Sequence, residues 1–327
     1  MSLPRLAFIG PTHTVSPWLL QAVRRHGTLE ALCDAHSERD AARFQARWTF
    51  TDVDALLREA EPDGVVLGAA QGARHRLIKQ CLASGANVLL TGAPCSSGMA
   101  NRLAILAKLS GRVVQASPAI IHCPAALLAR RLLDSGRFGR TISLSLRSTR
   151  RGSPRDDFDD HGPVPVDQVF EAVSLIQFLL GPLRLVTAMA HGEGVLMAAG
   201  MSVENVPVSI SLHASGPAEA LGVDVEMRSQ DGSILTMDRA GGLICRNGSR
   251  VDVCHQPSLA ASDPVVELGF DALVSEFVRR SRPGGASGLA GPVLPVLAGA
   301  EAILASAAKG RPAAPRVART ARSSEPA

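Results

Sequence analysis

The stretch from Arg5 to Asp34 restricts the possible folds more than any other part of the chain. Leu6–Ile9 is a short apolar run, the length of a buried strand, and it breaks at Gly10. Val15–Arg25 then carries Trp18, Leu19, Ala22 and Val23 at helical spacing, and Gly27 ends that pattern. Leu29–Cys33 is a second apolar run, closing on Asp34. Strand, glycine turn, helix, strand and acid form the layout of a βαβ unit that cradles a dinucleotide. The free N–H groups and partial positive charge of a helix N-terminus attract a pyrophosphate, and a terminal carboxylate accepts from a ribose. Of the G-x-G-x-x-G fingerprint, only the first glycine is present in Gly10-Pro11-Thr12-His13-Thr14-Val15. The alternative reading of this unit is an α/β core without a ligand.

The same alternation continues. Asp52 caps a helix running to about Ala60, after a helix over Ser37–Arg47. Val65–Gly68, Asn87–Leu90 and Val113–Ala116 are apolar strands, separated by helices over Arg74–Ser84 and Gly98–Leu109. Strands alternating with helices predict a doubly wound parallel sheet over residues 1–118, with ligands beyond the strand C-termini. The positions at that end are Gly10, Asp34, Ala69 to Gly72 and Thr91 to Pro94.

From residue 119 the pattern changes. A helix lies within Pro118–Gly136, and Ile142–Leu146, Val208–Leu212 and Val223–Met227 alternate with period two. Ser233–Met237 and Gly242–Cys245 extend the series, with turns at Asp231-Gly232 and Asn247-Gly248. Such alternation predicts an open, mostly antiparallel sheet with one wet face. Helices follow at Asp167–Leu180, Phe270–Arg279 and Ala298–Ala308, the last returning to the first domain. The expected division is a Rossmann-type domain over 1–118, an α+β domain over 119–310 and a disordered tail over 311–327.

Composition removes several function classes. A net charge of +4 is too small and scattered for nucleic acid. No apolar run reaches the ~18 residues of a membrane span. The N-terminus lacks a charged segment followed by an apolar one, so no secretory leader is expected. The six cysteines include no CxxC pair, which suits free thiols in the cytoplasm. There is no tyrosine, and the only lysines are Lys79, Lys108 and Lys309, which limits the candidate acids and bases.

Taken with ASGANVLLTGAP, LLDSGRFGRTISLSLR, FLLGPLRLV and SAAKGRP, residues 4–312 resemble the glucose–fructose oxidoreductase and inositol dehydrogenase (Gfo/Idh/MocA) family. The resemblance implies a Rossmann domain, a second domain whose open sheet forms a homo-oligomer interface, and NAD(P)-linked redox chemistry on a sugar, cyclitol or similar small molecule. It places Gly10, Thr12, His13, Asp34, Ala70, Arg74, Ala93 and Pro94 at the cofactor, with Asp34 favouring NAD over NADP. The family's Glu-Lys-Pro turn is Gly92-Ala93-Pro94 here, so the lysine is replaced by alanine. Its Asp-x-x-x-His pair is Asp167 and Glu171, and a further family aspartate falls on Ser174. A histidine found after the fourth strand falls on Arg74, beside His75.

Asp167, Glu171 and Ser174 share one helical face, opposite Val169, Val173, Ile176 and Leu180. That face would line the substrate cleft, with Asp167 and Glu171 as the catalytic candidates and Glu171 as a base if burial raises its pKa. The plain alternative is a solvated helix face. His161 lies in an acidic loop that would reach the same cleft; with Asp167 and Glu171 it offers ligand types suited to a metal, but no metal site is expected. Three readings follow: a divergent oxidoreductase, a non-catalytic partner subunit, sensor or scaffold, and a non-redox enzyme reusing the cleft.

Overall fold

The computed structural model describes residues 3–11, 15–33, 44–69, 71–90, 92–94, 96–149, 164–192, 194–214, 222–238, 241–257 and 262–316. Thr12, His13, Asp34, Ala70 and His161, and most of the helix expected over 37–47, lie outside the described residues.

The first layer is built on β1 (Arg5–Ile9), β2 (Thr28–Cys33), β3 (Trp48–Phe50), β4 (Gly64–Leu67), β5 (Asn87–Leu90) and β6 (Val113–Ala116). Between them run α1 (Pro17–His26), α2 (Val53–Glu59), α3 (Gln71–Ala83) and α4 (Ser97–Leu109). β4, β5 and β6 are buried at every position, as parallel strands covered on both faces must be. α1 begins at Pro17, a residue suited to the first helical turn because no intrahelical N–H is lost there. Val15 lies outside that helix and packs against the hydrophobic cluster that includes Leu19 and Phe8. Asp52 accepts from Ala55 N at 2.9 Å and caps α2.

A 3₁₀ turn (Ala119–His122) and α5 (Pro124–Asp134) lead into β7 (Thr141–Thr149) and α6 (Val166–Leu180). Then come β8 (Leu183–His191), β9 (Val195–Ser202), β10 (Pro207–His213), β11 (Val223–Ser229), β12 (Ile234–Met237), β13 (Leu243–Asn247) and β14 (Arg250–His255). The chain closes with α7 (Pro264–Glu267), α8 (Phe270–Arg280), β15 (Gly288–Ala290) and α9 (Val293–Lys309).

Two sheets result. The first is parallel, in the order β15-β6-β5-β4-β1-β2-β3. The strand order reverses between β1 and β4, which is the switch point where open α/β sheets bind ligands. The second has the order β14-β13-β12-β11-β7-β10-β9-β8. It is antiparallel except where β10 runs parallel to β7. Leu144, Leu146, Ile210, Leu212, Val225 and Met227 are buried on its inner side. Its other side exposes Leu185, Met189 and Met197.

The C-terminal segment serves both layers. β15 adds a seventh strand beside β6, α8 packs on α1, and α9 contacts β8, α6 and α4. Residues 311–316, which fall within the tail expected to be disordered, have partners here. Ser306 Oγ donates to Arg311 O at 2.7 Å, and Ala313 exchanges backbone hydrogen bonds with Val186 at 2.8 and 2.9 Å. The exposed edge of β8 supplies partners that local composition does not reveal. Residues beyond 316 lie outside the described ones.

All five described cysteines are free thiols, and burial pushes Cys81 up to about 12. Among the described residues no helix is long and apolar enough to cross a membrane.

α8 is fastened to the end of β6 by a polar chain. Ser117 Oγ lies 2.8 Å from His122 Nε2, and Glu276 Oε2 lies 3.7 Å from His122 Nδ1. Arg280 holds Glu276 at 2.7 Å. Burial holds the imidazole below its ordinary value of 6.5; Glu276 opposes that shift and Arg280 adds to it. The unfolded chain therefore takes up a proton here first as pH falls. The His122 contribution to stability is complete above pH 6.5 and shrinks below it, down to the lowered folded value. Urea denaturation of His122→Asn should show a flatter stability profile than wild type as pH falls below 6.5; parallel profiles would remove His122 from this role.

Candidate functional site

The C-terminal ends of β1, β4 and β5 converge on one charged pair. Gly10 ends β1 with φ of +138°, and a Cβ there would lie 2.7 Å from the Gly68 carbonyl carbon and 2.9 Å from Ala69 N. Glycine alone permits this approach of β1 to β4. Ala69 O in turn accepts from Arg74 Nε at 2.7 Å. Residues 68–69 thus lie between Gly10 and the Arg74 side chain.

Arg74, in the first turns of α3, is only 2% exposed. Its guanidinium donates to Ala93 O at 2.7 Å and to both oxygens of Asp167, at 2.7 and 2.6 Å. Asp167 Oδ1 also accepts from Ala93 N at 2.8 Å. Both polar groups of the Ala93 backbone are therefore held, one by each member of the pair. The carboxylate lies so close to Gly92 that a Cβ there would overlap it. Asp167 stands in the first turn of α6, where a carboxylate complements the helix dipole. The bidentate pair joins α3 of the first layer to α6 of the second.

The sequence grouped Arg74 with the cofactor positions and Asp167 with the catalytic ones; the structure brings these two together. Ala93 and Pro94 are buried in the turn that the pair organises. Glu171 lies one helical turn beyond Asp167 and is half-buried. Ser174, on the same face, does not line a cleft. It is 5% exposed, and its hydroxyl turns back to donate to Phe170 O at 2.7 Å. Gln168 is fully buried and donates to Ser148 O and His213 O, fixing the start of α6 against the ends of β7 and β10. Among the described residues no group of three His, Cys, Asp or Glu side chains is arranged to hold a metal ion.

Glu301 was missed in the sequence. Its carboxylate accepts from Ser97 N and Ser97 Oγ, each at 2.6 Å, so α9 supplies an acid to the N-terminus of α4, close after the Ala93 turn. Only tertiary packing brings positions 97 and 301 together. The Arg74–Asp167 pair joins positions 93 apart in the chain, so no local pattern signals it.

No family model and no curated protein matches the chain in sequence. Solved structures do match its fold. Levoglucosan dehydrogenase in complex with NADH and L-sorbose is 13% identical, with a TM-score of 0.81 over 96% of this chain and 99% of its own. An NAD binding oxidoreductase from Klebsiella pneumoniae is 17% identical, with a TM-score of 0.79 over 96% and 100%. An oxidoreductase from Agrobacterium radiobacter in complex with NAD+, L-tartaric acid and magnesium is 15% identical, with a TM-score of 0.77 over 96% and 98%. At these identities the likeness establishes the two-sheet architecture.

Breaking one side of a buried ion pair leaves an uncompensated charge. Arg74→Met should lower unfolding free energy by about 3–5 kcal/mol in urea. Replacing both partners, Arg74→Met with Asp167→Leu, should recover part of that loss, because neither charge is then stranded. A single variant as stable as wild type would show that the pair is not a structural tie.

Proposed function

We propose that the chain is an NAD(H)-binding protein of the oxidoreductase type, with a cleft for a sugar, cyclitol or similar small molecule, working in the reducing cytoplasm. The switch point carries this reading. Gly10 stands there with φ of +138° and packs on the Gly68–Ala69 backbone, so glycine keeps the ends of β1 and β4 close at the point where open sheets of this kind take a phosphate. The named cofactors of structures with the same architecture support it. Thr12, His13, Asp34 and Ala70 belong to the proposed binding set, with Asp34 on the ribose. When bound, a nicotinamide supplies a hydride donor or acceptor.

The proton side of the reaction distinguishes this chain. Oxidising an alcohol requires a group that accepts the hydroxyl proton. Ala93 has no such group, and a guanidinium stays charged at physiological pH. Arg74 therefore positions the turn and does not relay protons. Asp167 accepts from Arg74 and from Ala93 N, which favours its ionised form as a holding group. Glu171 is the remaining proposed base on this helix. The same replacement favours a second reading, a family-like protein that binds the dinucleotide as a sensor or partner subunit without turnover.

The open sheet is proposed as the homo-oligomer interface. Met189 is 69% exposed and Met197 53%, and the two are cross-strand partners. Leu185 extends this apolar stripe on β8. A charged Met197→Glu should convert an oligomer to monomer in sedimentation velocity; a monomeric wild type would end this part of the reading.

Calorimetry with NADH and NADPH tests the main proposal. Micromolar NADH binding is expected, weakened by Asp34→Ala by about 1–3 kcal/mol, the range for hydrogen bonds to a charged group. No binding at millimolar cofactor would overturn the dinucleotide reading. Binding without turnover across a sugar and cyclitol screen would select the sensor or partner reading.

A further inference from the structure

The open sheet has two edges, β14 and β8. An edge strand presents N–H and C=O groups to any chain able to pair with them, so its defence can be read from its residues. β14 is defended by its own composition. Arg250 and Asp252 are exposed on it, and its register with β13 shifts between Leu243 and Ile244. β8 has no such defence. From Leu185 to His191 its register with β9 is unbroken, and the segment contains no Asp, Glu, Lys, Arg, Pro or Gly. Leu185 and Met189 are exposed on it. A segment of this length and composition is the kind that templates pairing with a second chain.

The edge is covered from the C-terminal side. Gly310 caps α9 with φ of +61°, and the chain then reaches β8. Ser306 Oγ, fully buried, accepts from Ala188 N at 2.9 Å and donates to Arg311 O at 2.7 Å. Ala313 exchanges both backbone hydrogen bonds with Val186. Alternate residues of an antiparallel strand direct their backbone groups to the same side, so Val186 and Ala188 face outward from β8. The first is engaged by backbone and the second by a side chain. The cover does not create a new edge. Pro312 and Pro315 flank the paired Ala313 and have no N–H to offer a further strand.

We infer that residues 311–316 are a guard that keeps a second copy of this chain from pairing with β8. With the guard displaced, β8 of one copy would lie antiparallel to β8 of another about a two-fold axis, which closes after one addition and gives a dimer. Identical strands supply matching outward groups at Val186 and Ala188, and Leu185 and Met189 of both copies would extend one apolar stripe. This edge pairing is distinct from the face-to-face contact proposed for the open sheet.

The test uses the full chain carrying Met197→Glu, so that face-to-face contact cannot contribute. Ser306→Ala with Ala313→Pro removes the hydroxyl bridge and the Ala313 N–H. Amide exchange at Val186 should then speed up at least about tenfold in dilute protein. Sedimentation velocity should show monomer converting to dimer as concentration rises. Adding Ala188→Pro should restore the monomer, because it takes an outward N–H from β8 without removing a bond to β9. Unchanged exchange at Val186 would overturn the inference, since residues 311–316 would not be what covers the edge. Faster exchange with a monomer at every concentration would overturn it too, as would a dimer that Ala188→Pro leaves intact. If Ser306→Ala prevents folding, Ala313→Pro alone, at a partly exposed position outside the helices and strands, takes the same test. The result does not depend on whether the chain binds NADH.

Discussion

The guanidinium of Arg74 and the carboxylate of Asp167 form the tie on which the arrangement of the cleft depends. One residue belongs to a helix of the parallel sheet and the other to the first turn of a helix covering the open sheet. Taking both charges out of water is expensive, and the attraction repays it only when the remaining donors and acceptors are satisfied. Here they are met by Ala69 O, Ala93 O and Ala93 N, all within 2.8 Å. The pair thus fixes the backbone at the ends of β4 and β5 as well as the relation of two helices. Through the Gly68–Ala69 peptide it also abuts Gly10.

Arg74 and Ala93 are direct neighbours in this arrangement. A lysine at position 93 would bring a second cation beside the Arg74 guanidinium, competing for one carboxylate. Alanine at 93 and arginine at 74 are therefore compatible with each other in a way that lysine at 93 and arginine at 74 are not. Arginine at 74 and alanine at 93 together leave this turn with one fixed cation, held by Asp167 and by Ala93 O.

The two ends of the parallel sheet differ in how they treat arginine. At the C-terminal end Arg74 is buried and enclosed by acceptors. At the N-terminal end Arg112 and Arg282 line a cleft, without carboxylate partners among the described residues. A guanidinium enclosed by acceptors organises the backbone around it, whereas an exposed one is free to stay in water. Arginine content alone, high in a chain with three lysines, does not distinguish these uses.

Local pattern was enough for the layers. Four-residue apolar runs such as Gly64–Leu67 and Asn87–Leu90 require burial on both faces, hence a parallel sheet between helices. Period-two alternation in β7, β10 and β11 requires a sheet wet on one side. The glycine closing β1 and the acid opening α6 were also legible, because each reflects a local backbone or helix-end constraint. Tertiary structure alone decided what those residues touch. It paired Arg74 with Asp167 across 93 positions, set Glu301 on the start of α4, turned Ser174 back into its helix and ordered residues 311–316 against β8. It also ran β10 parallel to β7 and recruited β15 to the first sheet. Periodicity records which side of an element avoids water, since that is a property of neighbours in sequence. The partner a charge finds depends on how distant elements pack, and no local pattern carries that information.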